Sequence, residues 1–178
     1  MRSHTLAVAA LLTFVPIAAA MAQKVTKETV AGVTNFVRLE TTVACAGATK
    51  AEAVPELKKM GFASIINLRQ ASEPDANVDA EAAAAKTAGI NFFNIPFSGQ
   101  SPDPAVADKF LTTITTPGNE PAYIHCAAGN RAGAMWMIKR LAVDHWDTER
   151  AYTEAAALGL TSPALKQFAI DYAQTHKR

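Results

Sequence analysis

Cysteine is scarce in this chain: the 178 residues contain two, Cys45 and Cys126. That excludes a small scaffold stapled by several disulfides, and the unlike flanks of the two thiols argue against a structural pair. An excess of charge of one sign is also missing. The 17 Lys and Arg face 16 Asp and Glu, a formal net charge of +1, so composition points to no basic nucleic-acid surface. Histidine is sparse too. His125, His145 and His176 follow the first segment without ligand spacing among them, so no metal site is expected. Past the first 20 or so residues no apolar run approaches the roughly 20 needed to span a bilayer. Internal repeats and low-complexity tracts are absent as well.

The N-terminus has what the rest lacks. Arg2 and His4 precede an apolar run from Leu6 to Ala20, and Ala20-Met21-Ala22 follows. A basic start, a hydrophobic core and an A-x-A site describe a signal peptide, with cleavage expected after Ala22. The expectation is a protein exported to the periplasm or beyond, with no stable membrane insertion. Removing residues 1–22 leaves 178 − 22 = 156 residues, the size of one domain, 23–178.

Along that domain, strand and helix signals alternate. "NFVRLETTVAC" (35–45) reads as one or two strands, "FASIINL" (62–68) and "INFFNIPF" (90–97) as further strands, and "AYIHC" (122–126) as the last. "TKAE" (49–52) has the form of a capping box ahead of a helix that is regular from Pro55 and ends at Gly61. Helices are also expected over 80–89, from Pro104, over 132–143, and near 147–158 and 163–176. The pattern predicts an α/β fold: a central, mostly parallel sheet of about four or five strands with helices on both faces.

Residues 123–133, "YIHCAAGNRAG", carry the chemistry. Here a strand ends in Cys126, a turn containing Gly129 follows, and a largely buried helix begins. Backbone N–H groups in such a turn point inward, and a helix N-terminus adds about half a positive charge. Both favour a thiolate. Arg131 can grip an anion with two parallel N–H donors, and His125 can orient the site through its hydrogen bonds.

"HCAAGNRAG" resembles the signature of dual-specificity cysteine phosphatases. "GFASIINLRQASE" and "AAAAKTAGINFFNIPFSG" resemble blocks of one bacterial branch, the beta-lactamase hydrolase-like, phosphatase-like domain family. The resemblance covers about residues 32–160 and includes the shortened loop of that branch, with four residues between Cys126 and Arg131. It implies a phosphorylated or otherwise anionic substrate, no cofactor and no metal. Cys126 would attack phosphorus while Arg131 and the N–H groups of Ala127, Ala128, Gly129, Asn130 and Arg131 hold the equatorial oxygens. Arg69 and Glu73, after the 62–68 strand, would support the anion site, although an ion-paired loop explains them equally well.

The chain departs from the dual-specificity pattern at three points. Its loop has the length found in rhodanese-type sulfurtransferases. Ala132 follows the Arg where a hydroxyl residue is usual. Ser98 and Gly99 stand where an acid is expected, leaving Asp103 as the nearest candidate and an equally natural cap for a helix at Pro104. Three readings follow: a slow cysteine phosphatase, a sulfurtransferase or persulfide carrier using the same Cys126, and an anion-binding module without turnover. Cys45 reads as a buried small residue or as a resolving thiol for Cys126.

Overall fold

A computed structural model of the protein describes residues 24–176. The leader expected at 1–22, with its cleavage point at Ala22, lies outside the described residues. Among the described residues, no helix is long and apolar enough to cross a membrane.

Six strands form one sheet: β1 (Val25–Lys27), β2 (Val37–Leu39), β3 (Val43–Ala46), β4 (Ser64–Asn67), β5 (Asn91–Asn94) and β6 (Ala122–His125). Their order is β1-β2-β3-β6-β4-β5. The β1–β2–β3 part is antiparallel, whereas β3–β6, β6–β4 and β4–β5 are parallel. The sheet therefore has more strands than the four or five expected. The addition is β1, a three-residue strand whose side chains are largely exposed, so it carries no apolar signal in the sequence.

Every residue of β4 and β6 is buried, as parallel strands covered on both faces require. Their side chains alternate between two cores. Ile66 and Ile124 join α3 (Pro104–Ile114), α4 (Asn130–Ala142), α5 (Thr148–Ala157) and α6 (Pro163–Thr175). Ile65 and Tyr123 join α1 (Val54–Lys59) and α2 (Val78–Ala88).

Several boundaries differ from the sequence reading for identifiable reasons. The capping box does not form. Thr49 Oγ1 instead lies 2.6 Å from the Tyr123 hydroxyl, a buried phenol that needs a polar partner, and Lys50 precedes the 3₁₀ turn Ala51–Ala53. β5 stops at Asn94 rather than 97 because the ladder loses its register there, the donor advancing two residues while the acceptor advances one. Ile95 and Phe97 still bond to the carbonyls of Asn67 and Leu68 at 2.9 and 3.1 Å. α4 starts at Asn130, two residues early, because Gly129 turns the chain at φ 106 and serves as its N-cap.

Candidate active site

Cys126 follows the last residue of β6, at the C-terminal edge of the parallel strands, where open α/β sheets place their ligands. Its N–H bonds to the Ala46 carbonyl at 3.2 Å, which extends the β3–β6 pairing into the loop. The side chain is 1% exposed and accepts a hydrogen bond from Gly129 N–H at 3.1 Å. The chain thus curls round the sulfur with at least one amide aimed at it. Ala127 and Ala128 form the exposed rim.

Arg131 lies in the first turn of α4 and is held from two segments, the loops after β4 and after β5. Its Nη1 and Nη2 donate to the two Glu73 carboxylate oxygens at 2.6 and 2.7 Å. Nη1 also reaches the carbonyls of Leu68 and Phe97 at 3.2 and 2.9 Å. The bidentate pair fixes the plane of the guanidinium. The Arg131 hydrogen bonds hold Glu73 well below the usual 4.5, at about 2, helped by the Gln70 N–H and by Arg69 and opposed by partial burial. Reciprocally, Glu73 raises the pKa of Arg131, with the nearby Cys126 adding to the effect.

Arg69 does not face the sulfur. Its Nε pairs with Glu73 Oε2 at 3.3 Å, Nη1 donates to the Asp75 carbonyl at 3.0 Å, and Nη2 donates to the Pro74 carbonyl. Buried at 4% exposure, it braces the 73–75 turn and acts on the anion site through Glu73. The ion-paired loop is therefore the arrangement found.

The other candidates divide in the same way. Asn130 lines the cleft beside Arg131, and its Oδ1 accepts from Thr161 N, Thr161 Oγ1 and Ser162 N at 2.7, 3.0 and 2.8 Å. This ties the loop before α6 to the anion loop. His125 points under the sheet toward α2, with Nε2 2.9 Å from Glu81 Oε1. The approach is out of line for a hydrogen bond, which leaves both ring nitrogens and Glu81 Oε1 without one. Glu81 Oε2 accepts from Asn67 Nδ2 at 2.7 Å. Asp103 caps α3, its Oδ1 accepting from Ala105 N at 2.9 Å, and its side chain is exposed. A cleft of about 460 Å³ beside Arg131 is lined by Glu73, Ser98, Gly99, Gln100, Ser162 and Leu165 among others, and Asp103 does not line it.

Cys45 is a free, fully buried thiol on β3, as Cys126 is free at the end of β6. Burial pushes the Cys45 thiol up, with Cys126 and Glu154 adding, so it remains uncharged. Among the described residues no group of three His, Cys, Asp or Glu is placed to hold a metal ion.

Residues 16–170 match the family model described as DSP-PTPase phosphatase fused to NAD+ kinase. The chain belongs to this family. It is thus a phosphatase-like enzyme of the cysteine-phosphatase superfamily that its "HC…R" motif resembles. No curated protein matches the sequence. Among solved structures, it is similar to a DUF442 phosphatase from Shewanella putrefaciens CN-32 (TM-score 0.68, 20% identity, 83% of this chain and 96% of that one). It is also similar to the core catalytic domain of the PP-IP phosphatase SIW14 from S. cerevisiae in complex with citrate (0.64, 21%, 81% and 88%). A third similar structure is P. aeruginosa TpbA (0.60, 18%, 88% and 91%). At these identities the likeness concerns the fold.

Proposed function

We propose that this protein is an exported, metal-independent cysteine phosphatase that hydrolyses phosphoryl esters through a phosphocysteine, slowly. The observation that carries the reading is the aligned pair at the ends of one loop, Cys126 Sγ under the Gly129 N–H and Arg131 locked flat by Glu73. A sulfur in such a cradle is a nucleophile with anion-holding donors already in place.

In the first step Cys126 Sγ forms a bond to phosphorus while the ester oxygen leaves with the bonding pair. Arg131 and the loop amides hold the equatorial oxygens. In the second step a water oxygen attacks phosphorus, its proton passes to solvent, and the thiolate departs. The buried Ala132 methyl offers no hydroxyl to that departing sulfur. With Asp103 engaged at a helix cap, the first leaving group also lacks a positioned acid. General acid catalysis is worth about 10²–10⁴-fold, so activated esters such as aryl phosphates are the substrates of choice. TpbA has a solved complex with pTyr and SIW14 one with citrate, which supports an anionic, phosphorylated ligand here. The basic, apolar, A-x-A start of the sequence supports export.

The length of the loop supports a second reading, sulfur transfer through a Cys126 persulfide. One experiment separates the two. Reduced, purified protein is assayed on an aryl phosphate and on thiosulfate with cyanide, alongside Cys126→Ser. Phosphate release that vanishes in Cys126→Ser is the expected result. Cys126-dependent thiocyanate without phosphate release would replace phosphatase with sulfurtransferase. Neither activity, with phosphate still raising Tm, would leave an anion-binding module.

A further inference from the structure

The donor that faces Cys126 is held from behind by a segment far away in sequence. In a trans peptide the C=O and N–H point to opposite sides. An anchor on a loop carbonyl therefore also aims the amide of the same peptide unit. The Ala127 carbonyl accepts from Ala48 N at 2.9 Å. The Ala128 carbonyl accepts from Asn35 Nδ2 at 3.2 Å, and the amide of that same unit, Gly129 N–H, is the one that donates to Cys126 Sγ at 3.1 Å.

Asn35 precedes β2 in a left-handed conformation, φ 51, which Asn tolerates better than most residues. Its neighbourhood is fixed by Thr34 N to Ala48 O at 3.0 Å and Gly47 N to Thr34 O at 2.7 Å. Gly47 makes this closeness possible, since a Cβ there would sit 2.4 Å from Thr34 Oγ1 and 2.9 Å from Ala127 O.

We propose that Asn35 is a positioning residue for the Cys126 thiolate: bonded to the Ala128 carbonyl, it aims and polarises the peptide whose N–H donates to the sulfur. Bonds in series through one peptide strengthen each other. The inference rests on the reading of Cys126 as the nucleophile. The ionisable groups near that sulfur are Arg131 from α4, with Glu73 behind it, Cys45 from β3 and Tyr123 from β6. Asn35 hydrogen-bonds to none of them, so its effect is separable from theirs.

The test is the rate of iodoacetamide alkylation at Cys126 as a function of pH, assigned by mass spectrometry, in Asn35→Gly and Asn35→Asp. Glycine keeps the left-handed backbone and removes the donor; aspartate keeps a shape compatible with that turn and cannot donate. Near pH 6 both variants are expected to alkylate about three- to tenfold more slowly than the parent, the effect of losing one ordinary hydrogen bond. They should converge with the parent at alkaline pH, where the thiol is ionised in all three. The acid limb of kcat/KM on an aryl phosphate should move with the alkylation curve. Superimposable curves, or a loss of equal factor at every pH, would overturn the role of Asn35. Full phosphate release by Cys126→Ser would overturn the nucleophile itself, a different failure. A fall in Tm alone, without movement of the pH curve, would reduce Asn35 to a structural contact.

Discussion

At the residue scale, the property that distinguishes this site is how little freedom Arg131 has. Four hydrogen bonds, two of them to the Glu73 carboxylate, hold a side chain that would otherwise sample many rotamers. Less ordering is then left to do when an anion arrives. Glu73→Gln replaces one carboxylate oxygen with a donor that faces Arg131 and breaks the fork. Because a hydrogen bond to a charged group is worth roughly 1.5–3 kcal/mol, kcat/KM should fall about tenfold or more. Steady-state kinetics on an aryl phosphate would show it. Unchanged kinetics would mean that the two carbonyls alone place Arg131. "RQASE" displays Arg69 and Glu73 in the sequence, but not which of them meets Arg131. That depends on the turn at 73–75 folding back on Arg69, a bend that spacing does not encode.

At the element scale, α4 joins chemistry to packing. Its first turn supplies Arg131, while Gly133 lies against the end of α5, where an added Cβ would meet Leu160 N at 2.8 Å and Leu160 Cβ at 2.9 Å. Gly133→Ala should cost about 1–3 kcal/mol, as overpacking does, visible as a lower Tm. An unaltered Tm would show that the 158–160 segment yields. Further along, the buried Arg140 is paired rather than isolated. Its Nε donates to Glu154 Oε1 at 2.6 Å, Nη1 to Asp144 Oδ2 at 2.9 Å, and the guanidinium covers the Trp136 ring at 4.5 Å. Burying one of these charges without its partner is far costlier than burying the pair.

α3 offers a second test at this scale. Asp103→Ala removes a cap and should lower stability by about 1 kcal/mol, and Asp103→Asn should restore most of it. Activity on aryl phosphates should change by less than about threefold in both variants, given that a working acid contributes far more. A large loss confined to poor leaving groups would show that Asp103 delivers a proton after all.

At the scale of the whole molecule, acid sensitivity follows from the same carboxylate that positions Arg131. Glu73 is held at about 2, below its ordinary 4.5, so the folded state binds fewer protons than the unfolded one between those values. The stability it contributes is present above about pH 4.5 and is lost as pH falls toward about 2. Thermal melts of the parent and of Glu73→Gln between pH 6 and pH 2 check this. The gap between them should narrow as the pH drops, and a constant gap would exclude linkage through Glu73. The two cores divide the labour. β6 presents Ile124 to the four C-terminal helices and Tyr123 to α1 and α2, so one strand carries Cys126 at its end and ties both layers together.

The sequence by itself determined the α/β class, the order of the helices and the place of Cys126 between a strand and a helix. Each is local: strand and helix periodicity, a glycine turn and a cap are written within a few residues of where they act. It also gave the phosphatase-like resemblance, because "HCAAGNRAG" is contiguous. Only the tertiary structure decided what pairs with what. β1 is a mostly exposed edge with no apolar signal, so the sheet gained a strand that periodicity did not show. Thr49 gave up a helix cap for the hydroxyl of Tyr123, 74 residues away. Asn130 turned its side chain to Thr161 and Ser162 while its neighbours kept the loop. Asn35 reached Ala128 across 93 residues. Such partners are chosen by the sheet order, which brings β3 beside β6 and the loop after β4 beneath Arg131. A hydrogen bond between distant residues becomes favourable only once packing has brought its ends together and excluded the competing water.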